Sequence, residues 1–213
     1  GLCLTPVLLG LVLPLLALFA MTLTAGETPF SGKFMALIGN SVWVASAAAL
    51  VCAAAALWLA YAERLYPQRL VRGGVRVATL GYAVPGLVLA VALTLPMTSF
   101  AKWTATGLGA GLEVRWGLLL TGTSAALIFV YVARFLTVAF NSTQAGLIQI
   151  HPQLDAAARS LGHSPGSVLR RVHLPLLRPA ILTGLLLVFI DVMKELPATL
   201  ILRPFNFETL ATW

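Results

Sequence analysis

The uncharged, alanine-rich stretch Ser41–Ala62 constrains this chain more than any other feature. A helix needs about 20 predominantly apolar residues to cross the hydrocarbon core of a bilayer. Four further segments reach or approach that length. They are Leu2–Leu23; Val77–Thr98, interrupted by Pro85-Gly86; Gly117–Phe140, broken only by Arg134; and a segment that starts near Pro179 and runs past Asp191. Lipid offers no water to the backbone, so such segments must close their hydrogen bonds within helices. The expectation is an all-α integral membrane protein with five spans. With 59% hydrophobic and only 10% charged residues, the chain lacks the roughly 25% charged residues that coat a soluble domain.

The formal charge of +7 could suggest nucleic acid, but its distribution excludes that reading. Segment 63–76 carries Arg64, Arg69, Arg72 and Arg76, and segment 141–178 carries Arg159, Arg170, Arg171 and Arg178. The alternate connections hold Lys33, Lys102, Arg115, Lys194 and Arg203. The two richer segments fall on one side, and the positive-inside rule places them in the cytoplasm. Trp103 and Trp116 flank spans as interface anchors, and Arg134 is expected to snorkel toward the cytoplasmic interface. Cys3 and Cys52 lie in apolar segments and read as packing residues rather than a disulfide. Nothing basic precedes Leu2–Leu23, which argues for a span rather than a cleaved signal and for the chain being a fragment.

The polar excursion 141–178 is the unusual connection. It is expected to fold as two short helices around Gly162-His163-Ser164-Pro165-Gly166. Leu154, Ala158 and Leu161 fall on one face of the first helix, and Val168, Val172 and Leu174 continue an apolar stripe after the turn. Such an insert between two spans implies a docking partner. His151, His163 and His173 match no metal-ligand spacing and read as solvated or partner-facing.

The run Leu154-Asp155-Ala156-Ala157-Ala158-Arg159-Ser160-Leu161-Gly162, nine residues, then Val172-His173-Leu174-Pro175 resembles the EAA loop of permease subunits of binding-protein-dependent ABC importers. Ala157, Ala158, Gly162, Val172, Leu174 and Pro175 match that pattern in register. The family's glutamate falls on Ala156, with Asp155 beside it. Tyr82–Ala90, Tyr131–Leu136 and Lys194–Phe207 are similar to the same permeases, the last to the ferric iron branch. The resemblance implies a permease core over 37–213, preceded by an additional span and outer loop in 1–36. It implies five helices of a six-helix permease half, with the last one following Trp213 and a second half or subunit alongside. It also implies a periplasmic solute-binding protein and a cytoplasmic ATPase dimer as partners, in the inner membrane. The ATPase-coupling residues would be Asp155, Ala156, Ala157, Ala158, Arg159, Gly162, Arg170, Arg171, Val172, Leu174 and Pro175. The chain has no phosphate-cradling Gly-x-x-x-x-Gly-Lys-Ser/Thr loop, so ATP hydrolysis belongs to a separate subunit. No catalytic residue, metal site or cofactor is expected.

Asp191, Lys194 and Glu195 stand at i, i+3 and i+4, so one helix face could present all three. Ionisable groups at membrane depth mark pathways; at a helix end they are simply paired or solvated. Pro85-Gly86 reads as either a gating hinge or a fixed kink. An ion- or proton-coupled secondary transporter is the main rival, and it would show matched broken segments in two halves. None is visible. A membrane enzyme would need clustered His, Asp or Glu, and the acidic residues here are scattered.

Overall fold

In the computed structural model, residues 5–24, 31–108 and 123–212 are described, and all their regular structure is helical. The chain forms two compact units, Gly1–Ile38 and Gly39–Trp213. In the first, Thr5–Val7 and a π-helical stretch Leu8–Val12 lead into α1 (Leu13–Thr24). The apolar helix there spans Leu8–Leu23. The remainder of the expected span Leu2–Leu23 lies partly outside the described residues.

Helix α2 (Gly32–Leu65) carries the chain into the second unit. Its interior face is made of small residues: Ala45, Ala48, Ala49, Cys52, Ala56 and Ala60 are buried. Small side chains let helices approach closely in lipid, where apolar burial alone gives no preference for protein over acyl chains. Trp43, Leu50 and Trp58 on the other side are exposed, a surface suited to hydrocarbon. After Tyr66–Gln68 come α3 (Arg69–Ala78), a single 3-10 turn over Gly81–Ala83, and α4 (Gly86–Leu108). Then follow α5 (Ser124–Gln149), α6 (Pro152–Ser160), α7 (Pro165–Val168), a π-helical stretch Leu169–His173, α8 (Leu174–Met193) and α9 (Pro197–Leu202).

The α5–α8 pair forms the centre of this unit. Gly184 lets α8 approach the Ala139 backbone of α5, where an added Cβ would lie 3.2 Å from Ala139 Cα. Ser142 donates to the Ala180 carbonyl (2.7 Å), fixing the register between the two helices. Leu127, Val130, Tyr131, Phe135 and Ala139 of α5 meet Leu177, Val188 and Val192 of α8 in a continuous core that also takes in the alanine face of α2.

The bounds of several expected spans shift in the structure. Among the described residues three helices are long and apolar enough to cross a membrane, Gly32–Leu65, Ser124–Gln149 and Pro165–Met193, or four if one bent pair counts as a span. The expected single span Val77–Thr98 is that bent pair: Arg69–Ala83 and Gly86–Pro96 meet at 118°. Val84 is extended (φ −91°, ψ 130°) because the ring of Pro85 excludes the helical region for the residue before it. The expected span Gly117–Phe140 runs on to Gln149, and residues 117–122 lie outside the described residues. The segment expected to begin near Pro179 begins at Pro165, because the second loop helix is continuous with it. Pro175 lies within that continuous helix, directly after the π-helical turn Leu169–His173, an irregularity of the kind that accompanies proline in a helix.

Candidate functional site

The segment between α5 and α8 is a helix–turn–helix held by specific groups at each junction. His151 caps α6, its Nδ1 accepting from Gln153 N–H (3.3 Å), and Pro152 opens the first turn. At the other end Gly162 N–H donates to Arg159 O (2.9 Å) and His163 N–H to Ala158 O (3.1 Å). That is the paired bonding of a Schellman motif, which needs a left-handed residue at the first position past the cap. Gly162 supplies it with φ +80°, a conformation costly for residues with a Cβ. Ser164 and Pro165 then start α7.

A polar cluster latches this module to α2. Arg64, in the last turn of α2, donates through Nε to Asp155 Oδ2 (2.8 Å), through Nη1 to Leu147 O (2.7 Å) and through Nη2 to Ile150 O (2.9 Å). Asp155 Oδ1 lies 2.5 Å from His173 Nε2. Tyr61, one turn earlier on α2, donates to Pro165 O (2.7 Å) and its ring lies 5.4 Å from that of His173. One guanidinium thus caps two carbonyls at the end of α5, of which Leu147 O also accepts from Ile150 N–H (3.2 Å), and also fixes α6, while the carboxylate ties α6 to the π-helical turn before α8. Partial burial works against the charge on Asp155, but the hydrogen bonds from Arg64 and His173 outweigh it and hold the carboxyl below its ordinary range.

The expected coupling residues divide around this latch. Ala158 is buried, as is Val168 across the turn; Asp155 and Val172 are partly covered. Ala156, Ala157, Arg159, Gly162, Arg170, Arg171, Leu174 and Pro175 are exposed. The expected continuous apolar stripe is corrected: Leu154 and Leu161 are exposed while Ala158 packs inward. A second correction concerns His173, expected to be solvated or partner-facing and in fact fully buried. The signal for it was its place four residues before Leu177, at the head of the buried stripe continued by Gly184, Val188 and Val192. Nothing in the sequence assigns Arg64 to this site, because a basic residue at a span end already has an explanation in the positive-inside rule.

A second charged cluster lies within the helix bundle. Arg134 Nη1 is 3.4 Å from Glu195 Oε1, and both side chains are largely covered. Arg134 therefore pairs inside the bundle instead of snorkelling. Gly86 lies against this pair: a Cβ there would come within 2.1 Å of Arg134 Nη1 and 2.2 Å of Glu195 Oε1. Arg134 Nε and Nη1 and Glu195 Oε1 have no hydrogen-bond partner of good geometry. Beside them Thr199 donates its hydroxyl to the Glu195 carbonyl, so the Tyr131 hydroxyl, 2.5 Å away, must be the donor to Thr199. Asp191, Lys194 and Glu195 do not share a helix face, because α8 ends at Met193. Asp191 pairs with the exposed Lys194 (2.8 Å), while Glu195 turns inward.

Comparison with known proteins places the chain in a family. The model of binding-protein-dependent transport system inner membrane components matches residues 53–205. The chain belongs to that family, and is a multi-pass, all-helical component of the inner membrane. It is 30% identical over 183 residues to the Fe(3+)-transport system permease protein FbpB 2 of Haemophilus influenzae, covering 85% of this chain and 33% of the relative. It is 32% identical over 123 residues, 58% of this chain and 17% of the relative, to the putative ferric transport system permease protein FbpB 1 of the same organism. A third relative is the putative 2-aminoethylphosphonate transport system permease protein PhnV of Salmonella typhimurium, 38% identical over 82 residues, 38% of this chain and 30% of the relative. The chain thus spans about a third or less of the length of these relatives.

Proposed function

We propose that this chain is part of the membrane-spanning permease of an ABC importer. In this reading the chain supplies five helices of a six-helix permease half, the first of them with an outer loop in residues 1–36 and the others in the permease core 37–213. The module 150–173 lies in the cytoplasm and receives an ATPase dimer, and a periplasmic binding protein delivers the solute from the other side. A second permease half or subunit completes the path. Asp191, Lys194 and Glu195 stand at its outer end.

The observation that carries the reading is the latch. A loop that transmits force from a nucleotide-driven partner must be exposed to that partner yet rigidly joined to the spans it moves. Ala156, Ala157 and Gly162 are exposed, and Arg64, Asp155 and His173 join their module to α2, α5 and α8. Ferric iron is the substrate that the Haemophilus relatives' names suggest, and 2-aminoethylphosphonate is the one suggested by the Salmonella relative.

The test is uptake into proteoliposomes holding the assembled permease, its ATPase and its binding protein, with labelled ferric iron and labelled 2-aminoethylphosphonate compared. Iron accumulation with ATP and none with a non-hydrolysable analogue is the expected result. Phosphonate uptake in place of iron keeps the mechanism and changes the substrate. Uptake that persists without ATP and follows an ion gradient overturns the importer reading in favour of a secondary transporter.

A further inference from the structure

The docking module has an electrostatic asymmetry that its sequence conceals. Where the family pattern has a glutamate this chain has Ala156, and Asp155 beside it looks like a substitute. The geometry removes that option. Oδ2 of Asp155 is held by Arg64 at 2.8 Å and Oδ1 by His173 at 2.5 Å, so both oxygens are engaged inward. Releasing them to a partner would break two charge-assisted hydrogen bonds, the strong class. From Ile150 to Pro175 the chain has no other carboxylate. Its remaining charged side chains there, Arg159, Arg170 and Arg171, are all exposed. Leu161, 77% exposed beside Gly162, is the most exposed large apolar side chain of the module.

We infer that this module docks into an acidic groove of its ATPase, through its exposed arginines and the exposed Leu161 side chain and without a carboxylate contact from its own side. The inference rests on the importer reading above. A surface bearing one sign of charge selects a complementary partner and makes association depend on ionic strength. The small exposed side chains of Ala156 and Ala157, with Gly162 at the turn, permit the close approach of a protein surface, which favours a protein groove over lipid headgroups.

The experiment is to titrate the ATPase onto the assembled permease in nanodiscs of zwitterionic lipid at several salt concentrations. Wild-type affinity should fall as salt rises. The combined variant Arg159→Glu, Arg170→Glu, Arg171→Glu should bind about tenfold or more weakly at low salt, and lose that salt dependence. The corresponding Arg→Lys variant should keep most of the affinity and its salt slope. All three positions are exposed, so the variants should elute as the wild type does. Salt-independent binding that the charge reversals leave unchanged overturns the acidic groove while the importer reading stands. Equal binding by both forms, separating only when anionic lipid is added, overturns it in favour of headgroups. Failure of wild type to bind the ATPase at any salt overturns the importer reading, and this inference with it.

Discussion

Two of the ion pairs within the second unit are built differently. At the end of α2, Arg64 makes three hydrogen bonds, and both oxygens of Asp155 are used. Beside the break before α4, Arg134 and Glu195 stand 3.4 Å apart, with Nε, Nη1 and Oε1 lacking well-aligned partners. The more completely a buried network is satisfied the more it rigidifies, whereas a largely unsatisfied one is costly to keep and easy to give up; in the latch only Nδ1 of His173 lacks a partner. The first cluster therefore suits a permanent joint. The second, resting on Gly86 where two helices meet at 118°, suits a contact that forms in one arrangement of the bundle and parts in another.

The comparison breaks first at Arg64. Arg64→Ala removes the charge partner of Asp155 and two carbonyl bonds at once, so it should cost roughly 3–5 kcal/mol, read as a drop in thermal unfolding temperature in detergent. Replacing Asp155 as well should recover little, since the Ile150 carbonyl loses the Arg64 donor and Leu147 O keeps only its bond from Ile150 N–H. The Arg134 pair should behave in the opposite way. Glu195→Leu alone should cost about 3 kcal/mol by leaving a covered guanidinium unpaired. Arg134→Leu with Glu195→Leu should return to within about 1 kcal/mol of wild type. If the two double variants lose equal stability, the distinction between joint and contact fails.

How much of this was legible in the sequence depends on how local the cause was. The small-residue face of α2, the Gly162 turn and the interruption at Pro85-Gly86 all follow from rules that act within a few residues. The 118° angle does not, because it is set by tertiary contacts such as Thr137 donating to the Thr79 carbonyl at 2.5 Å. Asp155 was singled out beside the family's glutamate position, but its partners are 91 and 18 residues away, and no pattern in the chain pairs them. The i, i+3, i+4 spacing of Asp191, Lys194 and Glu195 misled for a different reason. The spacing rule holds inside a helix, and α8 stops at Met193.

Smaller effects sharpen the picture from the docking side. Gly162→Val places a β-branched residue at φ +80°, which should cost about 1–2 kcal/mol. A Cβ there meets no neighbour within 4 Å, so the damage is to the turn and not to the core. ATP hydrolysis by the complex should therefore survive while uptake falls, a split that comparing phosphate release with transport will read. Equal loss of both would mean that the turn only supports the fold.

The smallest effect expected near neutral pH is that of protons on the latch, and its sign follows from Asp155. Its carboxyl is held below the ordinary range in the folded protein, so the unfolded chain takes up that proton first as pH falls. The stabilisation from this group is complete above the ordinary aspartate value of about 3.9. It declines only as pH drops through that value toward the lower folded one. Between pH 7.5 and 5.5 the Asp155 contribution should thus stay flat. Substituting Asp155→Asn should leave the slope of unfolding temperature against pH unchanged in that window, and flatten it in acid. A change of slope in the neutral window on Asp155→Asn would overturn the assignment of the latch's pH dependence to the Asp155 carboxyl.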